Sequence, residues 1–176
     1  MDDVKWLMAR EIPRLRRYAT MLTNDLAQAD DLVQDCLERA IRKRHQLKKF
    51  GSVRAWLMRI LYTRWISETK RHRNKLEHVP IEDVENRLAY FPDQESADTC
   101  REVLSAFRTL PDKQRAILGL VVIEGMSYDE AAAVLKLPIG TVRSRLARAR
   151  ETLRNAVADE DPGSNSVGLL ERNKGS

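Results

Sequence analysis

An all-α fold of two small helical domains joined by a flexible linker is what this sequence predicts. Three observations lead there. Up to about Lys75 apolar residues recur with helical period, and that stretch holds a single glycine, Gly51, and a single proline, Pro13. From Asn74 to Ser96 the period breaks, with Pro80, Pro92 and six acids among scattered apolar residues. Beyond it, Pro111, Gly125 and Pro138 punctuate four short helical patterns. Twenty-odd irregular residues are unusual inside one compact domain, so the boundary belongs there. The expected organisation is a first domain over 1–74, an acidic linker over 75–96, a second domain over 97–158 and a disordered tail over 159–176.

The first helix is predicted over Val4 to Leu22, bent at Pro13, with Leu15, Tyr18, Ala19 and Leu22 on one side. Thr23-Asn24-Asp25 reads as a stop and a new cap. A strongly amphipathic helix follows over Ala27 to Arg44. Leu32, Val33, Cys36, Leu37, Ala40 and Ile41 make its buried face, and Asp31, Gln34, Asp35 and Glu38 lie opposite. Acids early and bases late, from Arg39 to Arg44, suit the helix dipole. A polar, basic loop spans His45 to Ser52. The third helix, Val53 to about Arg73, turns Trp56, Leu57, Ile60, Leu61 and Trp65 inward and leaves Arg54, Arg59, Arg64, Lys70, Arg71 and Arg73 to solvent or a partner.

In the second domain Cys100 to Thr109 and Asp112 to Ile123 read as helices, closed by Leu110-Pro111 and Glu124-Gly125. A third opens at Ser127, where Ser-Tyr-Asp-Glu has the spacing of a capping box with Glu130. It runs through Ala131 to Leu135. A fourth starts near Gly140-Thr141, after Pro138, and reaches about Val157.

Composition narrows the function. Hydrophobic residues at 43% suffice for packed cores, while 32% charged residues imply much solvated surface. The longest apolar run, Ile117 to Ile123 interrupted by Gly119, falls far short of the roughly 20 residues of a membrane span. Met1 to Glu11 lacks a signal peptide's apolar core, so membrane insertion is not expected and the cytoplasm is. Cys36 and Cys100 sit among apolar neighbours and read as buried thiols, not a redox pair. His45, His72 and His78 lack metal-ligand spacing, and no metal, cofactor or catalytic residue is expected. No phosphate-binding glycine loop or nucleophile–base pair is present, which argues against an enzyme.

The net charge of +5 is unevenly spread. Residues 1–74 hold 17 Lys/Arg and 9 Asp/Glu, net +8, and residues 75–96 are net −4. Residues 97–157 are net +3 and the last stretch is net −2. Two basic blocks around an acidic strip favour a polyanion contacted at two places.

Residues Ser127 to Arg154 fit a helix-turn-helix, its alanine-rich first helix letting the second pack closely across it. On a helical wheel Val142, Leu146, Ala149 and Leu153 form the buried seam, while Ser144, Ala147, Arg148 and Glu151 point away. Arg143, Arg150 and Arg154 flank that face on one side and Arg145 on the other. Arginine can bridge two acceptors of a guanine edge, and flanking arginines neutralise phosphates. A solvated arginine-rich face of an ordinary bundle is the plainer alternative. Five arginines in 12 residues with only Glu151 to pair them weigh against it.

The segment LPDKQRAILGLVVIEGMSYDEAAAVLKLPIGTVRSRLARARETL, Leu110 to Leu153, closely resembles region 4 of extracytoplasmic-function sigma factors. ADDLVQDCLERAIRKRHQL, Ala29 to Leu47, resembles their region 2 core-binding helix, and VRAWLMRI, Val53 to Ile60, the start of the promoter-recognition helix that follows. The resemblance implies that Asp31, Gln34, Asp35, Glu38 and Arg39 bind core RNA polymerase. It implies that Lys48, Lys49, Phe50, Arg54, Arg59 and Thr63 meet the −10 element of promoter DNA. Thr141, Arg143, Ser144, Arg145, Ala147 and Arg148 match positions that read the −35 element, with Ala147 offering a methyl group to a thymine. It also implies control by an anti-sigma factor. The sequence departs from the family at Thr63 and Ser67, where many members carry Asn and Asp, so the −10 preference carries over less well than the fold.

Two rivals stand beside this reading. A conventional helix-turn-helix regulator would bind palindromic DNA as a dimer without polymerase. A sigma-like decoy would bind an anti-sigma factor and never DNA, but its recognition helix would be degraded and a receiver domain attached.

Overall fold

The structure is a computed structural model that describes residues 2–76 and 105–160. Among them every regular element is helical, as the periodicity predicts. The described residues divide into two compact units, the first holding residues 2–76 and the second residues 105–160 apart from Ala133–Leu135.

The first unit contains α1 (Asp2–Thr23), α2 (Leu26–Arg42), a 3₁₀ helix (Arg44–Lys49) and α3 (Val53–Leu76). Helix α1 runs continuously through Pro13. Proline there removes a bond to the carbonyl of Ala9, an exposed residue whose oxygen water can satisfy. The chain reverses at Asn24, in the left-handed region at φ 55°, and Asp25 caps α2 by accepting from the amide of Gln28 at 2.8 Å. Leu15, Tyr18, Ala19 and Leu22 meet Leu32, Cys36 and Ala40 in the core, with Leu57, Leu61 and both Trp56 and Trp65 from α3. Each fully buried leucine contributes about 1.5–3 kcal/mol.

The buried arc of α2 is narrower than its apolar stripe. Leu32, Val33, Cys36 and Ala40 fill it, whereas Leu37 is half-buried and Ile41 is 43% exposed. They lie about 40° and about 80° past Val33, on the edge of the helix that carries Asp30. Ile60 of α3, also expected inside, is half-buried. The stretch expected as a loop from His45 winds instead as a 3₁₀ helix, closed by the Phe50 amide on the Leu47 carbonyl at 3.0 Å. Gly51 at φ +65° then turns the chain, and Ser52 starts α3, its hydroxyl accepting from the Ala55 amide at 3.3 Å. Helix α3 extends into the first two positions expected as linker, and the remainder of that linker lies outside the described residues.

In the second unit residues 105–109 are helical, and the start of the expected helix at Cys100 lies outside the described residues. Helix α4 (Asp112–Leu118) passes into a π-helical turn (Gly119–Ile123), then come α5 (Tyr128–Leu135) and α6 (Ile139–Glu160). The sequence predicts one helix over 112–123; its extent is right, but the last turn widens. The Glu124 amide reaches back to the Gly119 carbonyl at 2.9 Å and the Met126 amide to Leu120 at 3.0 Å. That winding buries Gly119, Leu120 and Val121 together before Gly125, at φ +62°, reverses the chain. The capping box at Ser127 forms with both bonds: the Ser127 amide to Glu130 Oε2 at 2.9 Å, the Glu130 amide to Ser127 Oγ at 3.2 Å. Lys136, left-handed at φ 53°, ends α5. The Pro138 carbonyl accepts from the amides of Thr141 and Val142 at 2.9 and 3.1 Å, so α6 starts one residue before the expected Gly140. It ends at Glu160, two residues into the expected tail, whose remainder lies outside the described residues.

Arg115 is the one charged residue of α4 drawn into the core. At 7% exposure it donates to Asp112 Oδ1 at 2.8 Å and to the Arg108 carbonyl at 3.1 Å.

Candidate functional site

Three surfaces carry the residues singled out by sequence. On α2, Asp31, Gln34 and Glu38 are exposed on the outer face. The Glu38 carboxylate accepts from Gln34 Nε2 at 3.3 Å and from Arg42 Nη2 at 3.2 Å. Asp35 and Arg39 are half-buried on the flank that turns toward α3. Asp35 Oδ2 accepts from Arg39 Nε at 3.2 Å and pairs across the seam with Arg64 Nε of α3. Arg64 was expected to face solvent or a partner. Its side chain is instead 19% exposed and held by Asp35 on one side and by Glu68 Oε1, at 2.9 Å, on the other. Two carboxylates positioned to share one guanidinium explain the difference.

The second surface runs from the 3₁₀ helix onto α3. Lys48 is exposed, while the side chain of Lys49 lies outside what the structure describes. Phe50 is half-buried, and the Arg59 guanidinium stands 5.6 Å from its ring centroid in a cation–π arrangement. Arg54 is half-buried on the first turn of α3. Thr63 is exposed, and the Ser67 hydroxyl one turn on donates to the Thr63 carbonyl at 2.9 Å. Phe50, Arg59 and their loop are therefore brought together, whereas Thr63 stands on α3 beyond Arg59 in sequence.

The third surface is the outer face of α6. Arg143, Ser144, Ala147 and Arg148 are exposed along one strip, with Thr141 and Arg145 half-buried at its edges. Val142, Leu146, Ala149 and Leu153 are all at or below 3% exposure on the opposite side, as the wheel predicts. The Ser144 hydroxyl donates to the Thr141 carbonyl at 3.2 Å, which fixes the first turn. Alternating large cations and small residues on one rigid helix is a surface able to enter a groove and donate to bases or phosphates.

Comparison with known proteins gives this geometry a setting. Residues 8–62 match the family described as the Sigma2 domain of PhyR, and residues 100–153 match Sigma-70, region 4. The chain is 34% identical over 156 residues to the ECF RNA polymerase sigma factor EcfG of Rhodopseudomonas palustris, covering 86% of this chain and 83% of that relative. It belongs to the extracytoplasmic-function family of RNA polymerase sigma factors. SigE of Mycolicibacterium smegmatis, another family member, is 32% identical over 160 residues, 86% of this chain and 60% of that one. The sigma factor RpoE from Bartonella quintana, solved in complex with the anti-sigma factor NepR, aligns with a TM-score of 0.77 at 30% identity. That alignment covers 92% of this chain and all of RpoE.

Within this sigma factor the α6 strip falls inside the region 4 match, and the α2 face, Phe50 and Arg59 fall inside the Sigma2 match. Thr63, Arg64 and Ser67 lie just past its end at residue 62. Sequence reasoning missed Arg64 as an internal ligand of Asp35. Glu68, four residues on, was the only local signal; the long-range partner, 29 positions away, had none.

Among the described residues no His, Cys, Asp and Glu cluster could hold a metal ion, and no helix is long and apolar enough to cross a membrane.

Proposed function

We propose that this sigma factor binds core RNA polymerase and directs promoter-specific initiation by reading the −10 and −35 elements. It acts in the cytoplasm, under an anti-sigma factor, and performs no catalysis of its own. Asp31, Gln34, Asp35, Glu38 and Arg39 of α2 meet the polymerase. Lys48, Lys49, Phe50, Arg54, Arg59 and Thr63 track and open the −10 element, with Arg59 and Phe50 offering charge and an aromatic face to an unstacked base. Thr141, Arg143, Ser144, Arg145, Ala147 and Arg148 read the −35 element in the major groove. Two modest DNA contacts become one avid reading when the polymerase holds both.

The observation that carries this reading is the exposed strip Arg143, Ser144, Ala147, Arg148 over a fully buried apolar seam. The anti-sigma control draws support from family membership, RpoE of Bartonella quintana having been solved with NepR. A decoy role draws on the match of residues 8–62 to the Sigma2 domain of PhyR. The intact arginine strip and the region 4 match favour DNA. Run-off transcription with purified core polymerase over genomic fragments tests the proposal. Selective starts that need this protein uphold it, and starts no more selective than those of core alone refute it.

A further inference from the structure

Arg39, Asp35, Arg64 and Glu68 form a continuous chain of alternating charge between α2 and α3. Asp35 Oδ2 is 3.2 Å from Arg39 Nε and pairs with Arg64 Nε, whose Nη2 is 2.9 Å from Glu68 Oε1. The inner pair is the more enclosed, with side-chain exposures of 27% for Asp35 and 19% for Arg64 against 42% and 37% for the outer members. Charge pairs at that depth lose part of their solvent screening.

The position of this chain matters more than its strength. The seam between α2 and α3 is already closed by apolar contact and by the Cys36 thiol, which donates to the Leu57 carbonyl at 3.4 Å. Those contacts allow small rotations of one helix against the other, because apolar packing has little directionality. Ion pairs on both sides of the Arg64 guanidinium, to Asp35 and to Glu68, add an attraction that favours one rotation. Arg64 stands at the border of the buried face of α3. Thr63 and Ser67 lie about 100° and about 60° away on its exposed side. At the other end Asp35 is one turn from both Asp31 and Glu38 on the exposed face of α2. One side chain therefore connects the acidic face to the turn that presents Thr63.

We infer that Arg64 is a positioning residue for the −10 surface: its grip on Asp35 and Glu68 sets the rotation of α3 and so the presentation of Thr63 and Ser67. This rests on the promoter-reading role proposed above. It assigns Asp35 a second task beside its place in the polymerase-facing strip, that of transmitting the position of α2 to α3.

Variants at Arg64 test this, because Arg64 is outside the strip assigned to polymerase. R64Q keeps a polar amide on a shorter stem but removes the charge, and R64K keeps the charge without the planar guanidinium. On a promoter found by the run-off screen, R64Q holoenzyme should form open complexes about fivefold to tenfold less than wild type, with core affinity within about twofold. Its discrimination against single-base changes in the −10 element should fall in parallel. R64K should recover most of both, which a loss of folding would not explain. In the free protein, the falls in Tm for D35N and R64Q should be less than additive in the double variant.

Open-complex formation and discrimination unchanged in R64Q, or strictly additive Tm losses, would overturn the inference. Equal loss of core affinity and opening would overturn it too, by making Arg64 a fold residue only. If wild-type protein itself starts no RNA selectively, the promoter reading fails and takes this inference with it. That outcome is recognised by the silence of the wild type rather than of the variant.

Discussion

Arg16 of α1 grips Asp30 of α2 with two hydrogen bonds, Nε to Oδ1 at 2.6 Å and Nη2 to Oδ2 at 2.9 Å, across the first hairpin. Both side chains are at least half exposed. The Arg16 guanidinium, first by hydrogen bonding, holds the Asp30 carboxyl below its ordinary range, and Asp30 in turn raises Arg16. A depressed carboxyl adds stability above its unfolded pKa and loses it as pH falls through the folded value. Asp30→Asn should therefore lower Tm slightly at neutral pH, and the difference should fade at an acidic pH below the folded value of Asp30, where the carboxyl has taken up its proton. Since the pair is exposed, the gap should also shrink in high salt. Thermal scans of both proteins at the two pH values check this, and a pH-independent gap would contradict it.

Cys36 is fully buried between α2 and α3, and burial, with the nearby Asp35 charge adding to it, pushes its thiol up to about 12. The thiolate is the reactive form, so folded protein should resist alkylation at mildly alkaline pH. Because the folded pKa is raised, the thiol's contribution is complete below the unfolded pKa and fades as pH climbs toward the folded one. In a Cys100→Ser background, labelling by iodoacetamide should await global unfolding, and denaturant should accelerate it. Cys36→Ala should cost about 1–2 kcal/mol from the lost sulfur contacts and the weak thiol bond to the Leu57 carbonyl, which keeps its intrahelical partner. Cys36→Ser can keep the donor and separates the two effects.

The legibility of the fold followed the directness of its signals. The wheel of α6 was readable because one helix packed on one side obeys its own period: Val142, Leu146, Ala149 and Leu153 are buried as a set. The Ser127 capping box was readable because both partners lie within one turn. On α2 the same logic overreached. Leu37 and Ile41 satisfy the period, but α1 and α3 cover a narrower arc than the apolar stripe. The widened turn at Gly119–Ile123 was invisible because an apolar run has no marker of helical pitch. The three surfaces were found through residue type and family resemblance. Their internal wiring was not, since Asp35–Arg64 and Phe50–Arg59 are tertiary pairs with no fixed spacing.

Arg115 offers a stability test within the second unit. Burial lowers its pKa, Asp112 partly offsets that, and its fork spans Asp112 and the Arg108 carbonyl. Removing the cation leaves a half-buried carboxylate and a carbonyl short of donors. Arg115→Ala should therefore destabilise this unit by about 2–4 kcal/mol. Arg115→Met, which refills the volume with apolar atoms, should cost less. Denaturant melts followed by circular dichroism would show the change in the transition belonging to residues 105–160. Equal losses for the two variants would mean that packing, not charge, is what Arg115 supplies.

Arg148 and Asp31 separate the two proposed interfaces. Arg148 is exposed at the centre of the α6 strip, and Asp31 is exposed on α2, in the other unit. Arg148→Ala removes a fork able to bridge two acceptors on a guanine edge, so selective initiation at a −35-dependent promoter should fall about tenfold or more. Affinity for core polymerase should be unchanged, because no core contact is assigned to α6. Asp31→Lys should do the opposite. A reversed charge in a complementary interface repels as well as fails to attract, so core affinity should fall by a comparable factor. Once saturating polymerase restores the complex, promoter preference should be intact. Fluorescence anisotropy against labelled core gives the first quantity, and run-off transcription on promoter and −35-mutated templates gives the second. If Arg148→Ala weakened all templates equally and flattened the salt dependence, Arg148 would be a phosphate contact, and base reading would shift to Arg143, Ser144 and Arg145.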